Sequence, residues 1–435
     1  MTTTSATLDL LVCSTPVHGH IAPLVAVTRH LVASGHRVRF LTGARYRETV
    51  EAVGAEWLRL PAEADYDDTD MDAAFPGRVG LSGPAGIRYD LREIFLKPGP
   101  AQLRALDAAI ADRRPDAVLV ESLFMGALLL LSRPGDRPLV VNLGIVPLGL
   151  ASRDTAPFGL GIPPKPGAAG RLRNAMLALV AEKIIFGALQ RYAAELVAET
   201  GGRLRANFMS GPGLADAIVQ FTVPSFEYPR SDLPANVHFV GPMARTQPSS
   251  TPLPEWWGEL DGSRPVVHVT QGTVANTDFG ELIDPAIQGL AGDDVLVVVS
   301  TGGRELPVRD YPANVRIAPY LPYDKLLPIT DVMVTNGGYG GVHYAMEHGV
   351  PLVTAGLTED KTEVTARVAW SGVGIDLRTD RPTPGQVRDA VRRVLAEPSF
   401  RERSAAIGRD IAASPGVAGL EAVLTELVAA RAVAG

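Results

Sequence analysis

Leu8-Asp-Leu-Leu-Val-Cys-Ser-Thr-Pro-Val-His-Gly-His-Ile-Ala-Pro-Leu-Val-Ala-Val27 begins as an apolar run and passes, through a loop with two histidines around one glycine, into helical spacing. The run 8–13 predicts a strand. Leu24, Val27 and Leu31 share one face of a helix over 21–34, Gly35 stops it, and 36–42 predicts a second strand. The same layout returns over 265–300: a strand over 265–270, a loop over 271–276, helical spacing over 279–290, the break Ala291-Gly292 and a strand over 295–300. Two β-α-β units far apart in one chain predict an α/β protein with two doubly wound parallel sheets.

Length agrees, because 435 residues exceed one ordinary core. The stretch 241–254 is rich in proline and serine and has no periodicity, so it reads as a linker between a domain over 1–240 and one over 255–435. Further strands are expected over 117–120 and 138–142 in the first half, and over 315–318, 331–335 and 350–355 in the second. A long amphipathic helix is expected over 172–199, and the final helix is expected to pack back on the first domain. Open α/β sheets bind ligands beyond the carboxyl ends of their strands, which places the site in the cleft between the two units.

Composition removes several classes of function. Hydrophobic residues make up 46% and charged residues 20%, which excludes wholesale disorder. A net charge of -7, with no basic cluster interleaved with aromatics, gives no reason to expect nucleic acid. A single cysteine cannot form an intrachain disulfide, residues 1–9 carry no basic leader, and the apolar run 123–131 is too short to span a bilayer. The expectation is a cytoplasmic protein without stable membrane insertion, with Cys13 a core residue.

Chemistry concentrates in two places. In Asp331-Val-Met-Val-Thr-Asn-Gly-Gly-Tyr-Gly-Gly-Val-His343 a strand runs into four glycines and then a helix, which lets backbone amides and a helix dipole approach a phosphate. The other place is the opening loop. A histidine just before a helix N-terminus is expected to be kept neutral by the dipole, as a general base must be, and His20 is the better candidate of the two. Glu121, immediately beyond the strand 117–120, is the expected carboxylate partner that orients the imidazole.

Together, these landmarks resemble the UDP-glycosyltransferase superfamily: inverting, metal-independent enzymes of GT-B architecture that glycosylate macrolides and other small natural products. The landmarks are Gly19-His20-Ile-Ala-Pro23, Pro115-Asp-Ala-Val-Leu-Val-Glu121, Val240-Gly-Pro242, Gln271-Gly-Thr273, Tyr320-Leu-Pro322, Asn336 through Gly341, Gly349-Val-Pro351 and Glu359-Asp-Lys361. The resemblance implies that His20 deprotonates an acceptor hydroxyl and Glu121 orients it. It also implies a nucleoside diphosphate sugar as co-substrate, UDP- or TDP-linked, with no further cofactor and no metal. Gly272, Thr273 and the amides of Gly338, Tyr339, Gly340, Gly341 and Val342 would hold the diphosphate, Tyr320 with Leu321 the nucleobase, and Asp360 with Lys361 the sugar. Four positions depart from the family pattern: Glu121 for Asp, Asn336 for His, Tyr344 for Glu and Lys361 for Gln.

The acceptor is expected to be a lipophilic molecule with a hydroxyl, lined by His18, Phe75, Phe95 and Phe158. The acidic run 65–70 reads as a solvated loop and His268 as a satisfied core residue. Two other functions fit the sequence: a nucleotide-sugar epimerase of the same fold, which needs no acceptor pocket, and a non-catalytic helper of a partner glycosyltransferase, which needs no His20–Glu121 pair.

Overall fold

The computed structural model describes residues 7–434 apart from 82, 244–245, 273–275, 277 and 306–309. Seven strands form the first sheet: β1 (Asp9–Cys13), β2 (Arg37–Thr42), β3 (Glu56–Arg59), β4 (Ala117–Glu121), β5 (Leu139–Gly144), β6 (Ala217–Gln220) and β7 (Val237–Phe239). They lie parallel in the order β3-β2-β1-β4-β5-β6-β7. Six form the second: β8 (Val266–Thr270), β9 (Leu296–Ser300), β10 (Val315–Ala318), β11 (Val332–Thr335), β12 (Leu352–Thr354) and β13 (Gly374–Asp376), ordered β10-β9-β8-β11-β12-β13. All of these pairs are parallel too.

The order explains the sequence pattern and locates the sites. Parallel strands covered by helices on both faces read as continuous apolar runs, and β1, β4 and β8 are buried throughout. Along β1, Leu10 and Val12 join one core cluster while Leu11 and Cys13 join the cluster on the opposite face. Cys13 is therefore a packing residue, and burial pushes its thiol up. In each sheet the chain order reverses once, between β1 and β4 and between β8 and β11, opening a crevice at the carboxyl ends. The C-terminal helix Val417–Ala434 inserts Leu420 and Leu424 into the cluster that holds Leu10 and Val12, so the end of the chain packs on the first sheet.

Several elements differ from expectation. The first helix runs His18–Ala33, so both histidines lie in its first turn rather than before it. Glu121 is the last residue of β4 rather than the residue beyond it. The segment 279–290 divides into a 3-10 turn, Phe279–Glu281, held by the Asp278 carboxylate, and the helix Ile283–Gly289. The long helix over 172–199 is broken: Gly167–Val180 widens into a π turn at Ala181–Ile185, and a new helix runs Gly187–Glu199. Its first part is also turned outward, with Leu172, Met176, Leu179 and Ile184 exposed and the polar Asn174 buried against the carbonyl of Arg153.

Candidate active site

The first crevice holds the histidine and its carboxylate. β1 and β4 pair with Cys13 opposite Val120, so the loop after β1 meets Glu121. The Glu121 side chain is fully buried, and Oε1 accepts the Thr15 amide at 3.3 Å while Oε2 accepts the Leu123 amide at 2.5 Å. Oε2 also lies 3.1 Å from His20 Nδ1. Burial alone would raise the Glu121 pKa, but His20 and the two amides outweigh it and lower it. For His20, burial disfavours the cation, yet Glu121, with smaller contributions from Asp360 and Glu359, raises its pKa above the ordinary 6.5. The lowering expected from the dipole of the first helix is therefore not the net effect, because the buried carboxylate in contact with the imidazole is the stronger influence.

The walls come from distant segments. Phe95, on a π turn over Asp90–Leu96, stacks on the His20 ring with centroids 5.9 Å and planes 26° apart. Phe75 packs edge-on against Tyr66, whose phenol is held protonated by burial and next by the Glu121 charge. Tyr66 thus lies within the electrostatic reach of Glu121, although no motif marks it. Phe158 sits on a separate loop against Gly149, and His18 is exposed at the rim. The acidic run is not simply solvated: the buried Asp68 carboxylate accepts the His18 amide at 2.6 Å and the Tyr46 hydroxyl at 2.7 Å, and it pairs with Arg45. It caps the first helix from fifty residues away, where Val17 offers no side-chain cap. Among the described residues no group of three or more acidic, histidine or cysteine side chains is placed to hold a metal ion.

The second crevice is built of backbone. Thr270 and Thr335 end β8 and β11 side by side, and their hydroxyls accept the amides of Gly272 at 3.2 Å and Gly337 at 3.4 Å. Both glycines have left-handed backbone, φ 73° and 84°, and a Cβ on Gly337 would stand 2.6 Å from Thr365. Asn336 Nδ2 donates to the Gln271 carbonyl at 2.6 Å and clips the two loops together. Gly338 caps the helix Tyr339–Glu347 with no side chain of its own, and a Cβ on Gly340 would meet nothing within 4 Å. The first-turn amides of residues 339–341 are those a helix leaves without an internal carbonyl partner, in the form that suits an anion.

Val342 and Leu321 are not placed as the resemblance implies, while Tyr339 keeps the backbone role implied for it. The Val342 amide closes the first helical hydrogen bond to Gly338 at 3.0 Å, and its side chain is core. The Tyr339 ring is buried edge-on against His343, so only its backbone faces the loop. Leu321 is buried with Val266 and Leu326. Thr273 lies outside the described residues. Tyr320, in contrast, is 56% exposed, with its hydroxyl donating to the Gly302 carbonyl at 3.1 Å. Asp360 precedes the helix Lys361–Ser371 and is pushed up to about 6 by burial, which Lys361 opposes and Glu359 supports. The Lys361 ammonium is buried and held by Glu359 and Thr358. His268 is a satisfied core residue as expected, bonded to the Val298 carbonyl and the Tyr323 hydroxyl.

Two facing Rossmann-like sheets, with a His–Glu pair at one switch point and a glycine-rich helix start at the other, define the GT-B architecture. A solved structure of the same architecture is CalG4, the calicheamicin glycosyltransferase, with a TM-score of 0.70 and 24% identity over 96% of this chain and 98% of that one. The model of the C-terminal domain of erythromycin biosynthesis protein CIII-like proteins matches residues 287–427. Relatives include 4'-demethylrebeccamycin synthase of Lentzea aerocolonigenes, 44% identical over 94% of this chain and 96% of that protein. UDP-glycosyltransferase 2 of Phaeomoniella chlamydospora is 35% identical over 99% and 98%. The chain belongs to the UDP-glycosyltransferase superfamily, and it is a sugar-transferring enzyme of the natural-product type. Among the described residues, no single helix is long and apolar enough to cross a membrane.

Proposed function

We propose that the enzyme moves a hexose from a UDP- or TDP-sugar to a hydroxyl of a lipophilic small molecule, with inversion at the anomeric carbon and without a catalytic metal. The observation that carries this reading is the 3.1 Å contact between His20 Nδ1 and the buried Glu121 carboxylate at the first switch point. With Nδ1 turned to Glu121, Nε2 is the nitrogen left to take the acceptor proton, and the carboxylate stabilises the imidazolium that forms. The oxygen then attacks the anomeric carbon in line. The amides of residues 339–341 and the dipole of their helix stabilise the departing diphosphate, which supplies locally what a divalent ion supplies in other enzymes. Asp360 accepts sugar hydroxyls in its ionised form, above about pH 6.

The test is to incubate the purified protein with UDP- and TDP-hexoses and a panel of phenols and macrolide aglycones, with and without EDTA, and to read products by mass and anomeric configuration by NMR. Transfer with inversion that survives the chelator is expected. Donor conversion without an acceptor would support an epimerase instead, and loss of transfer with EDTA restored by magnesium would overturn the metal-free mechanism.

A further inference from the structure

The helix Lys361–Ser371 begins at the proposed sugar site and ends against the first domain, and two of its side chains, Glu363 and Arg367, reach across. Glu363 is buried, and its Oε1 accepts two amides of the first domain, from Gly159 at 2.8 Å and Gly161 at 3.0 Å. These belong to the loop that carries Phe158. Glu363 Oε2 pairs with Arg367 at 2.7 Å, and Arg367 pairs with Glu227 of the first domain at 2.6 Å. Glu227 in turn accepts the amides of Leu148 and Tyr228, and the Arg367 guanidinium lies 4.0 Å from the centre of the Tyr228 ring. The three charged side chains are each almost wholly removed from solvent.

We infer that Glu363 is a positioning residue for the acceptor: it fixes the Phe158–Gly161 wall against the helix whose first turn holds the sugar. Two amides on one carboxylate oxygen define the loop backbone more tightly than one would, and charge-assisted bonds of this kind are the strong ones. The Arg367–Glu227 pair prevents Glu363 from turning away, because leaving any member of the buried set unpaired is costly. Gly161 supplies an independent mark of the same fit. Its φ is 59°, and a Cβ there would stand 2.7 Å from Thr362 Cγ2 and 2.9 Å from the Thr362 carbonyl, so the loop approaches this helix as closely as glycine alone permits. The seating of this loop on the helix of the second domain is therefore set through Glu363.

This inference rests on the sugar-transfer reading, and its test separates the two. UDP-glucose and 4-methylumbelliferone serve as probes, with UDP affinity by calorimetry, thermal midpoint, and hydrogen exchange of the 153–163 peptide measured on the same samples. Glu363→Ala is expected to speed exchange in that peptide and raise KM for the phenol about tenfold, with UDP affinity within about twofold of wild type. Gly161→Ala should reproduce that split from the other side of the contact. Glu363→Gln keeps an oxygen for the two amides and should restore most of the acceptor KM. Exchange unchanged in Glu363→Ala, or equal losses for donor and acceptor, would overturn the inference. If the wild type transferred no sugar to any acceptor while the exchange difference appeared, the failure would lie with the sugar-transfer reading and not with the contact.

Discussion

The two sheets follow one strand order and open their crevices at corresponding strands, yet they equip those crevices differently. Between β1 and β4 the groups are side chains, a partly exposed His20 against the buried Glu121, so that each moves the other's proton affinity. Between β8 and β11 they are backbone: two left-handed glycines, a helix start capped by glycine, and threonine hydroxyls that hold the loop amides. A proton must be moved by a group that titrates, whereas a diphosphate is best held by amides that cannot. On the proposed function, one fold repeated twice separates acid–base chemistry from leaving-group stabilisation.

The separation can be broken at its side-chain end first. His20→Ala removes the base and should lower transfer about a hundredfold or more, while UDP affinity by calorimetry stays within about twofold. A matching loss of UDP affinity would mean that the two crevices are not independent. Next comes the backbone end. Gly340→Val places a side chain in open space in front of the helix start, so it should weaken UDP binding about tenfold or more with an unchanged thermal midpoint. Undiminished binding would move the diphosphate elsewhere. The smallest effect is expected at Asn336, whose side-chain amide donates a neutral hydrogen bond to the Gln271 carbonyl. Asn336→Ala should cost about fivefold or less in UDP affinity, the scale of such a bond, and a larger loss would show that it contacts the phosphate directly.

Side chains and backbone also differed in how far the sequence revealed them. His20 and Glu121 were legible because their chemistry belongs to their identity and both follow apolar strands. The glycine run was legible as a strand-to-helix turn with open first-turn amides, but not that Val342 closes the first helical bond. Successive residues of a helix turn by about 100°, so Tyr339 and Val342 send their side chains into the core although they flank the loop. Leu321 was drawn in by adjacency to Tyr320 in the same way. Asp68 as a cap and Glu363 across the domains are contacts between residues fifty or more positions apart, and Glu121 acts on Tyr66 over a similar separation, on all of which local spacing is silent. The strands β3, β6, β7 and β13 were not read because polar residues such as Glu56, Arg59, Gln220, His238 and Asp376 end or interrupt their apolar runs. The outward turn of Leu172 and Met176 could not be seen either, since a helical stripe does not say which side is covered.

The pH dependence of kcat/KM in the wild type and in Glu121→Gln tests the central claim, that a base raised by its carboxylate performs the proton transfer, most directly. The neutral imidazole is the active form, so the rate is present above the His20 pKa and falls as pH drops through it. With Glu121 ionised, that acid limb should lie above 6.5. In Glu121→Gln the carboxylate's attraction is gone and burial acts unopposed by it, so the limb should move to lower pH while the plateau rate falls. An acid limb at the same pH in both proteins would contradict the account.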